Sequence, residues 1–511
     1  MDRLKSLSPD QLRGMCRGIE KESLRVQPNG SLAMTPHPVT LGSALTHPHV
    51  TTDFSESQLE LVTGAHSQVE SCIHELTQIH QFVYRAIGDE LLWASSMPCS
   101  LPAEEVIPIG QYGRSNVGQA KSIYRKGLAH RYGRRMQTIS GIHYNWSMPG
   151  LSDADYFGLI RNFRRQSFLL LMLFGASPAL ASDFVSSPQH GLIPFDEHTL
   201  HLPHATSLRM GRLGYQSDAQ STLAVSYNSL NGYAESLQQA LTQPYPPYDA
   251  IGLQDEYGRY KQLSTSLLQI ENEFYSTIRP KRVIRTGERP LHALRERGVE
   301  YVEVRCMDLN PFMPIGIDAD TVRFLDVFLL HCLMSPSPLD TPQEIAEWGR
   351  NQLAVAARGR APGLELERQG QFVSLKDWAL QILNECLQIA QALDNHQGLA
   401  LYCNSVTRAL ERMHDFSMLP SARVLSQMSE ISKAGHHGHT DFTMRRSIAN
   451  RQALSAIDWP AEIQNRFEQE ALASMQAQLD IESGDPRPFE SFRKDYLSAE
   501  HLVPAHSSAG G

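Results

Sequence analysis

Long apolar runs are missing from this 511-residue sequence. The longest, Phe168 to Ala176, falls far short of the ~20 residues that a membrane-spanning helix needs. It follows the polar stretch Arg161 to Arg165 and reads as a helix entering a core. Residues Met1 to Met15 hold no apolar signal-peptide segment, so a cytoplasmic protein is expected, with no membrane partner. Cysteine is scarce: the seven residues (16, 72, 99, 306, 332, 386, 403) are odd in number and never spaced CxxC. That argues against a disulfide framework and against a zinc site. No basic stripe tracks nucleic acid, and the net charge of −9 is modest for this length. Internal repeats and low-complexity linkers are lacking. So are GxxxxGK(S/T), GxGxxG, GxSxG and HExxH, which removes several familiar nucleotide and hydrolase chemistries.

What the sequence does have is acid on apolar strands. Thr51 to Thr63 places Asp53, Glu56 and Glu60 around a strand-like run. Gly18 to Val26 carries Glu20 and Glu22, and Tyr301 to Arg305 carries Glu303. A buried carboxylate is costly without a partner or a cation. Hard divalent cations that carry nucleotide phosphates prefer such oxygen ligands. The pattern therefore points to a magnesium–ATP enzyme.

Side-chain parity sorts these strands, because alternate residues face opposite ways. Val302 and Val304 share one face, leaving Tyr301, Glu303 and Arg305 on the other. Ile142, Tyr144 and Trp146 are bulky and apolar, while His143, Asn145 and Ser147 oppose them. Leu59 and Leu61 face away from Gln58 and Glu60, and Ile19 and Lys21 face away from Glu20 and Glu22. The reading is an antiparallel sheet with one packed face and one working face. A single such strand would merely meet water; four strands offering metal-capable groups favour a site. Gln111 to Gly118 is a loop whose glycines and positive side chains suit phosphates, and Gly435 to His439 reads as a solvated loop.

From about Ile317 the pattern turns mostly helical, with helices expected over 318–334, 342–358, 375–394 and 458–480. The whole chain, 1–511, is taken as a single catalytic domain. It divides into a mixed α+β core that carries the site (1–316), a mostly helical portion (317–503) and a frayed tail (504–511).

Seven blocks carry a family resemblance: GIEKESLRV, LGSALTHPHVTTDFSESQLELVT, QYGRSNVGQAKSIYRKGLAHRYGRRMQTISGIHYNWSMP, FGASPA, LPHATSLRMGRLGY, LLQIENEFYSTIRPKR and VEYVEVRCMDLNPFMPIG. In this order, the sequence resembles proteobacterial glutamate–cysteine ligases (γ-glutamylcysteine synthetases). The resemblance implies a glutamine-synthetase-like α+β fold, in which a curved antiparallel sheet forms a funnel flanked by helices. It also implies ligation of the cysteine amine to the γ-carboxylate of glutamate through a γ-glutamyl phosphate, driven by ATP, as the first step toward glutathione.

Carried onto this sequence, the family's magnesium ligands fall on Glu20, Glu22, Asp53, Glu60 and Glu303, with His143 beside them; manganese is an alternative ion. The arginine of the phosphoryl region falls on Arg305, with Glu303 as its catalytic neighbour. The cysteine pocket falls on Tyr124, Leu128, Gln137, Arg209, Tyr215 and Tyr275. His204 and Cys306 depart from the family's usual Tyr and Ser. Expected partners are the small molecules ATP, L-glutamate and L-cysteine, with a monomer favoured over an obligate oligomer. A related ligase with another amine acceptor, a metal-dependent hydrolase or phosphotransferase, and a divalent-ion buffer are the competing readings.

Overall fold

Strand β1 (Cys16–Val26) is the axis of the main sheet. It pairs on one side with β3 (Gln58–Val62), which β2 (Val50–Thr52) extends. On its other side lies β5 (Ile142–Ser147), followed by β10 (Tyr301–Met307) and β9 (Ile278–Lys281). The order is β2-β3-β1-β5-β10-β9, with the two-residue β4 (Leu91–Leu92) on the end of β1. Every pairing is antiparallel, as the parity argument requires. A small second sheet is built from β6 (Ala179–Ala181), β7 (Ile193–Asp196) and β8 (Thr199–His201). The computed structural model describes residues 7–185, 189–214, 218–220, 223, 225–285 and 287–504.

One face of the main sheet is core. Ile19, Leu59, Leu61, Ile142, Tyr144, Trp146, Val302 and Val304 belong to a single hydrophobic cluster. Helix Val69–Ala86 covers β1 and β3, because Val69, Cys72, Leu76, Ile79 and Val83 form one buried stripe along it. Helix Phe168–Phe174, buried at every position, packs on β10. Helix Ala319–Met334 starts at Asp318, whose side chain accepts from the Thr321 N–H at 2.8 Å.

A buried polar pin ties that helix to the sheet. The Arg17 guanidinium lies 3.1 Å from Asp326, and the Tyr144 hydroxyl donates to Asp326 at 2.6 Å. Both charged side chains are sealed from water, so each depends on the other.

The expected C-terminal helices are present as Ala319–Met334, Pro342–Arg358, Leu375–Gln397 and Ala461–Gly484. A hairpin of Glu365–Arg368 and Gln371–Ser374 interrupts them, where Gln369 and Gly370 take positive φ for the tight turn. These helices do not segregate: the main hydrophobic cluster runs from Leu12 to Leu502.

The last two α-helices fold back over the N-terminal half. Ser474 Oγ accepts from the Ser43 N–H at 2.9 Å, and Glu482 accepts from the Arg114 N–H at 2.7 Å. A Cβ at Gly42 would come 2.8 Å from the Ala471 carbonyl, so the crossing requires glycine there. Two loop expectations change. The Gln111–Gly118 loop closes at Ser115, which caps helix Asn116–Tyr132, and it meets helix Ala461–Gly484. Gly438 and His439 begin helix Gly438–Ser455, and His439 is buried rather than solvated. Beyond Pro504, the tail lies outside the described residues. Among the described residues, no helix is long and apolar enough to cross a membrane.

Candidate active site

Register, rather than sequence proximity, assembles the acids. Glu22 pairs across from Glu60, Glu20 from His143, and Glu303 from Asn145. All six side chains share the face opposite the core. Ligand atoms of Glu20, His143 and Glu303 lie within 4.8 Å of one another. His143 Nδ1 is 3.2 Å from Glu20, and its Nε2 is 3.6 Å from Glu22. Asn145 donates to Glu20 at 2.9 Å, and the Gly141 N–H donates to Glu22 at 2.6 Å.

Cations surround this cluster. Arg305 donates to Glu303 at 3.0 Å and sits 3.4 Å from His143 Nδ1. Lys281 lies 3.3 Å from Glu303, and Arg279 lies 3.9 Å from it.

The carboxyls fall into two electrostatic groups. Burial pushes Glu22 up to about 8, with Asp53 adding to the rise against Arg209 and Arg305. Burial likewise holds Glu60 well above the usual carboxylate range, reinforced by Glu20, Asp53 and Glu22. Burial opposes ionisation of Glu303 too, but Lys281, Arg305, His143 and Arg279 outweigh it and hold the group well below that range. Glu20 follows the same logic: burial raises it, while the hydrogen bond from His143 and the charge of Lys281 bring it down. Burial, then Arg305, depresses the imidazolium of His143. Glu22 and Glu60 are thus the carboxyls that burial makes hardest to ionise, and a divalent cation would favour their ionised form. An oxygen-rich donor set of this kind fits magnesium, with one imidazole at its edge.

The acids open into a cavity of about 380 Å³. Helix Asn116–Tyr132 forms its opposite wall, where Val117, Ala120, Lys121, Tyr124 and Leu128 recur on one face. Gln137 and Tyr275 complete this side, joined by a 2.8 Å hydrogen bond from Gln137 Nε2 to the Tyr275 hydroxyl. Asp53 also lines the cavity, and its backbone carbonyl accepts from Arg125. Arg125 stacks 4.4 Å over the Tyr112 ring. Burial, then Arg125, brings the Lys121 ammonium down to about 8.

Two expected pocket residues stand apart. Tyr215 lies outside the described residues. Arg209 does not line the cavity; it is fully buried behind Gly141, where a Cβ would come 2.0 Å from its guanidinium. It donates to the Arg305 carbonyl at 2.8 Å, at the register shift between Val304 and Met307. Arg209 therefore supports the strand that carries Arg305.

The cavity also holds residues that the sequence reading missed. Lys121 and Arg125 flank Tyr124, and their i, i+4 spacing was readable. Arg279 and Lys281 alternate with Ile278 and Pro280 on β9, by the same parity used elsewhere. Phe492 and Tyr496 arrive from helix Phe489–Tyr496, and no local signal announces a wall contributed from so far along the chain.

The family model for glutamate-cysteine ligase matches residues 2–355. A glutamate–cysteine ligase of Pseudomonas fluorescens is 48% identical over 500 residues, covering 94% of this chain and 93% of that protein. Its counterpart in Pseudomonas putida is 48% identical over 506 residues, covering 96% and 95%. A solved glutamate–cysteine ligase of Francisella tularensis, in complex with AMP, superposes with a TM-score of 0.89 at 36% identity. That match covers 95% of this chain and 98% of the other. A bifunctional glutathione synthetase from Pasteurella multocida shares the fold, with a TM-score of 0.68 at 24% identity over 92% of this chain and 57% of that one.

Proposed function

This chain belongs to the glutamate–cysteine ligase family, and from that premise we propose how its cavity performs the reaction. The protein is an ATP-dependent ligase that joins the cysteine amine to the γ-carboxyl of glutamate, the first step of glutathione biosynthesis. The observation that carries the mechanism is the convergence of the acid cluster, Arg305 and the Tyr124–Gln137–Tyr275 wall on one cavity.

A carboxylate does not react with an amine near neutral pH, because its oxygen is a poor leaving group. The terminal phosphoryl group of ATP therefore passes to a γ-carboxylate oxygen of glutamate, giving γ-glutamyl phosphate and releasing ADP. The neutral cysteine amine then attacks the acyl carbon, phosphate leaves, and the nitrogen loses a proton. Arg305, held by Glu303, stabilises charge on the moving phosphoryl group. Glu20, Glu22, Asp53, Glu60, His143 and Glu303 would hold magnesium, with manganese as an alternative. When bound, such ions neutralise the triphosphate and align it for in-line transfer. Tyr124, Leu128, Gln137 and Tyr275 receive the cysteine, Tyr215 joins them on the strength of the family resemblance, and Arg209 acts through the strand of Arg305.

The sheet is read as the wall of a glutamine-synthetase-like funnel, and the whole chain as one catalytic domain acting as a cytoplasmic monomer. Because a thiol differs little from a methyl group in shape, 2-aminobutyrate should replace cysteine with weaker apparent affinity, within the ~1–3 kcal/mol a shape-matched pocket discriminates. Failure of 2-aminobutyrate at high concentration would contradict that pocket. The test of the function is ADP release with ATP, magnesium and glutamate, with and without cysteine. Strong stimulation by cysteine and γ-glutamylcysteine in the mass spectrum are expected; cysteine-independent release would move the reading to another acceptor.

A further inference from the structure

One carboxylate on the cavity wall takes no part in the chemistry above. Glu273 is only 1% exposed and is held by three donors. Its Oε1 accepts from Arg131 at 2.8 Å and from the Tyr132 hydroxyl at 2.8 Å, and its Oε2 accepts from the Gln269 N–H at 2.7 Å. Arg131 is anchored in turn by Gln262 Oε1 and the Ser264 carbonyl, and it stacks 4.1 Å over Tyr248. Neither charge of the pair meets water, so the pair depends on its hydrogen bonds and on the stacked Tyr248 ring.

The network leads to the substrate wall. The Glu273 carbonyl accepts from Gln220 Nε2 at 2.8 Å, and Gln220 Oε1 accepts from the Tyr275 N–H at 3.0 Å. Gln220 Nε2 also reaches the Tyr132 hydroxyl at 3.2 Å. The Tyr132 ring stands edge-on to Tyr275, with centroids 5.6 Å apart. Tyr275 accepts from Gln137, closing the path at the cavity surface. Arg305 meets Glu303 and His143, and Lys281 meets Glu303, on the acidic side of the cavity.

We propose that Glu273 is a positioning residue for the acceptor amino acid, setting Tyr275 and Gln137 through Tyr132 and Gln220. The inference rests on reading Gln137 and Tyr275 as the cysteine pocket. It accounts for a buried ion pair built at the end of the cavity-lining helix, beside this pocket rather than beside the phosphoryl site.

The test compares Glu273→Gln, Tyr132→Phe and Tyr275→Phe by steady-state rates, varying each substrate with the other two saturating. Glu273→Gln should raise the KM for cysteine about tenfold, and Tyr132→Phe severalfold. The KM for 2-aminobutyrate should rise in parallel, while kcat and the KM values for ATP and glutamate stay within about twofold. A merely structural pair would instead lower kcat or shift all three KM values together, and that result overturns the proposal. If Glu273→Gln does not fold, Tyr132→Phe, which removes a single hydroxyl, decides alone. A raised cysteine KM in Tyr275→Phe, with both network variants unchanged, overturns the proposal but keeps the pocket. A change in the KM for ATP with Tyr275→Phe overturns the pocket and the proposal together.

Discussion

Like charges crowded on one sheet face must be offset, and the side chains show how. Glu303 and Glu20 are balanced by Lys281, His143 and, for Glu303, by Arg305 and Arg279. At Glu22 and Glu60 the nearby arginines do not outweigh burial and the neighbouring acids, and both carboxyls stay above the usual carboxylate range. Divalent-ion binding should therefore stabilise the fold as well as enable the reaction. At about 100 times its dissociation constant, magnesium should add about 2.7 kcal/mol to the unfolding free energy in urea melts. Glu20→Gln should lose most of that gain. Equal gains in both proteins would contradict a cation site at these acids.

Elements show what a sequence makes legible. Parity placed Glu20, Glu22, Glu60, His143 and Glu303 on one face, because each strand alternates apolar and polar residues and only one register buries the apolar set. Arg209 could not be placed that way. It sits in a loop, and its position behind Gly141 depends on a packing contact between segments far apart in sequence. The Arg17–Asp326 pin was equally silent, since nothing local links a strand near the N-terminus to the helix Ala319–Met334. Asp326→Ala should cost about 3–5 kcal/mol, read from the urea midpoint, because it strands a sealed guanidinium and removes the acceptor of Tyr144. A loss under about 1 kcal/mol would show that water reaches this pin.

At the scale of the whole molecule, the helical last third packs into the same body as the sheet. It buries its apolar stripes in the same cluster as the sheet and sends Phe492 and Tyr496 to the cavity. Length and composition could not reveal this return, which is why the sequence marked a helical portion without locating it. The fold also shields histidines that do not line the cavity. Burial depresses His37, His47 and His439 to about 4, with Arg25 adding to the shift at His37 and His49 at His47. An unfolded histidine titrates near 6.5. Between about pH 6.5 and pH 4 the unfolded chain therefore binds protons that the native state refuses, and stability falls as pH falls through that window. His439→Gln should flatten the decline of the urea midpoint between pH 7 and pH 4. An unchanged slope would mean that His439 is protonated in the native protein.

The central claim is that the acid face and Arg305 together perform phosphoryl transfer in this cavity. The most direct test is kcat for γ-glutamylcysteine formation in Arg305→Lys, with folding verified by its urea midpoint. A point charge cannot reproduce the fork of a guanidinium, so a loss on the order of 10²–10³ in kcat is predicted. A lysine variant within a few-fold of the parent would contradict the account and place the transferred phosphoryl group elsewhere.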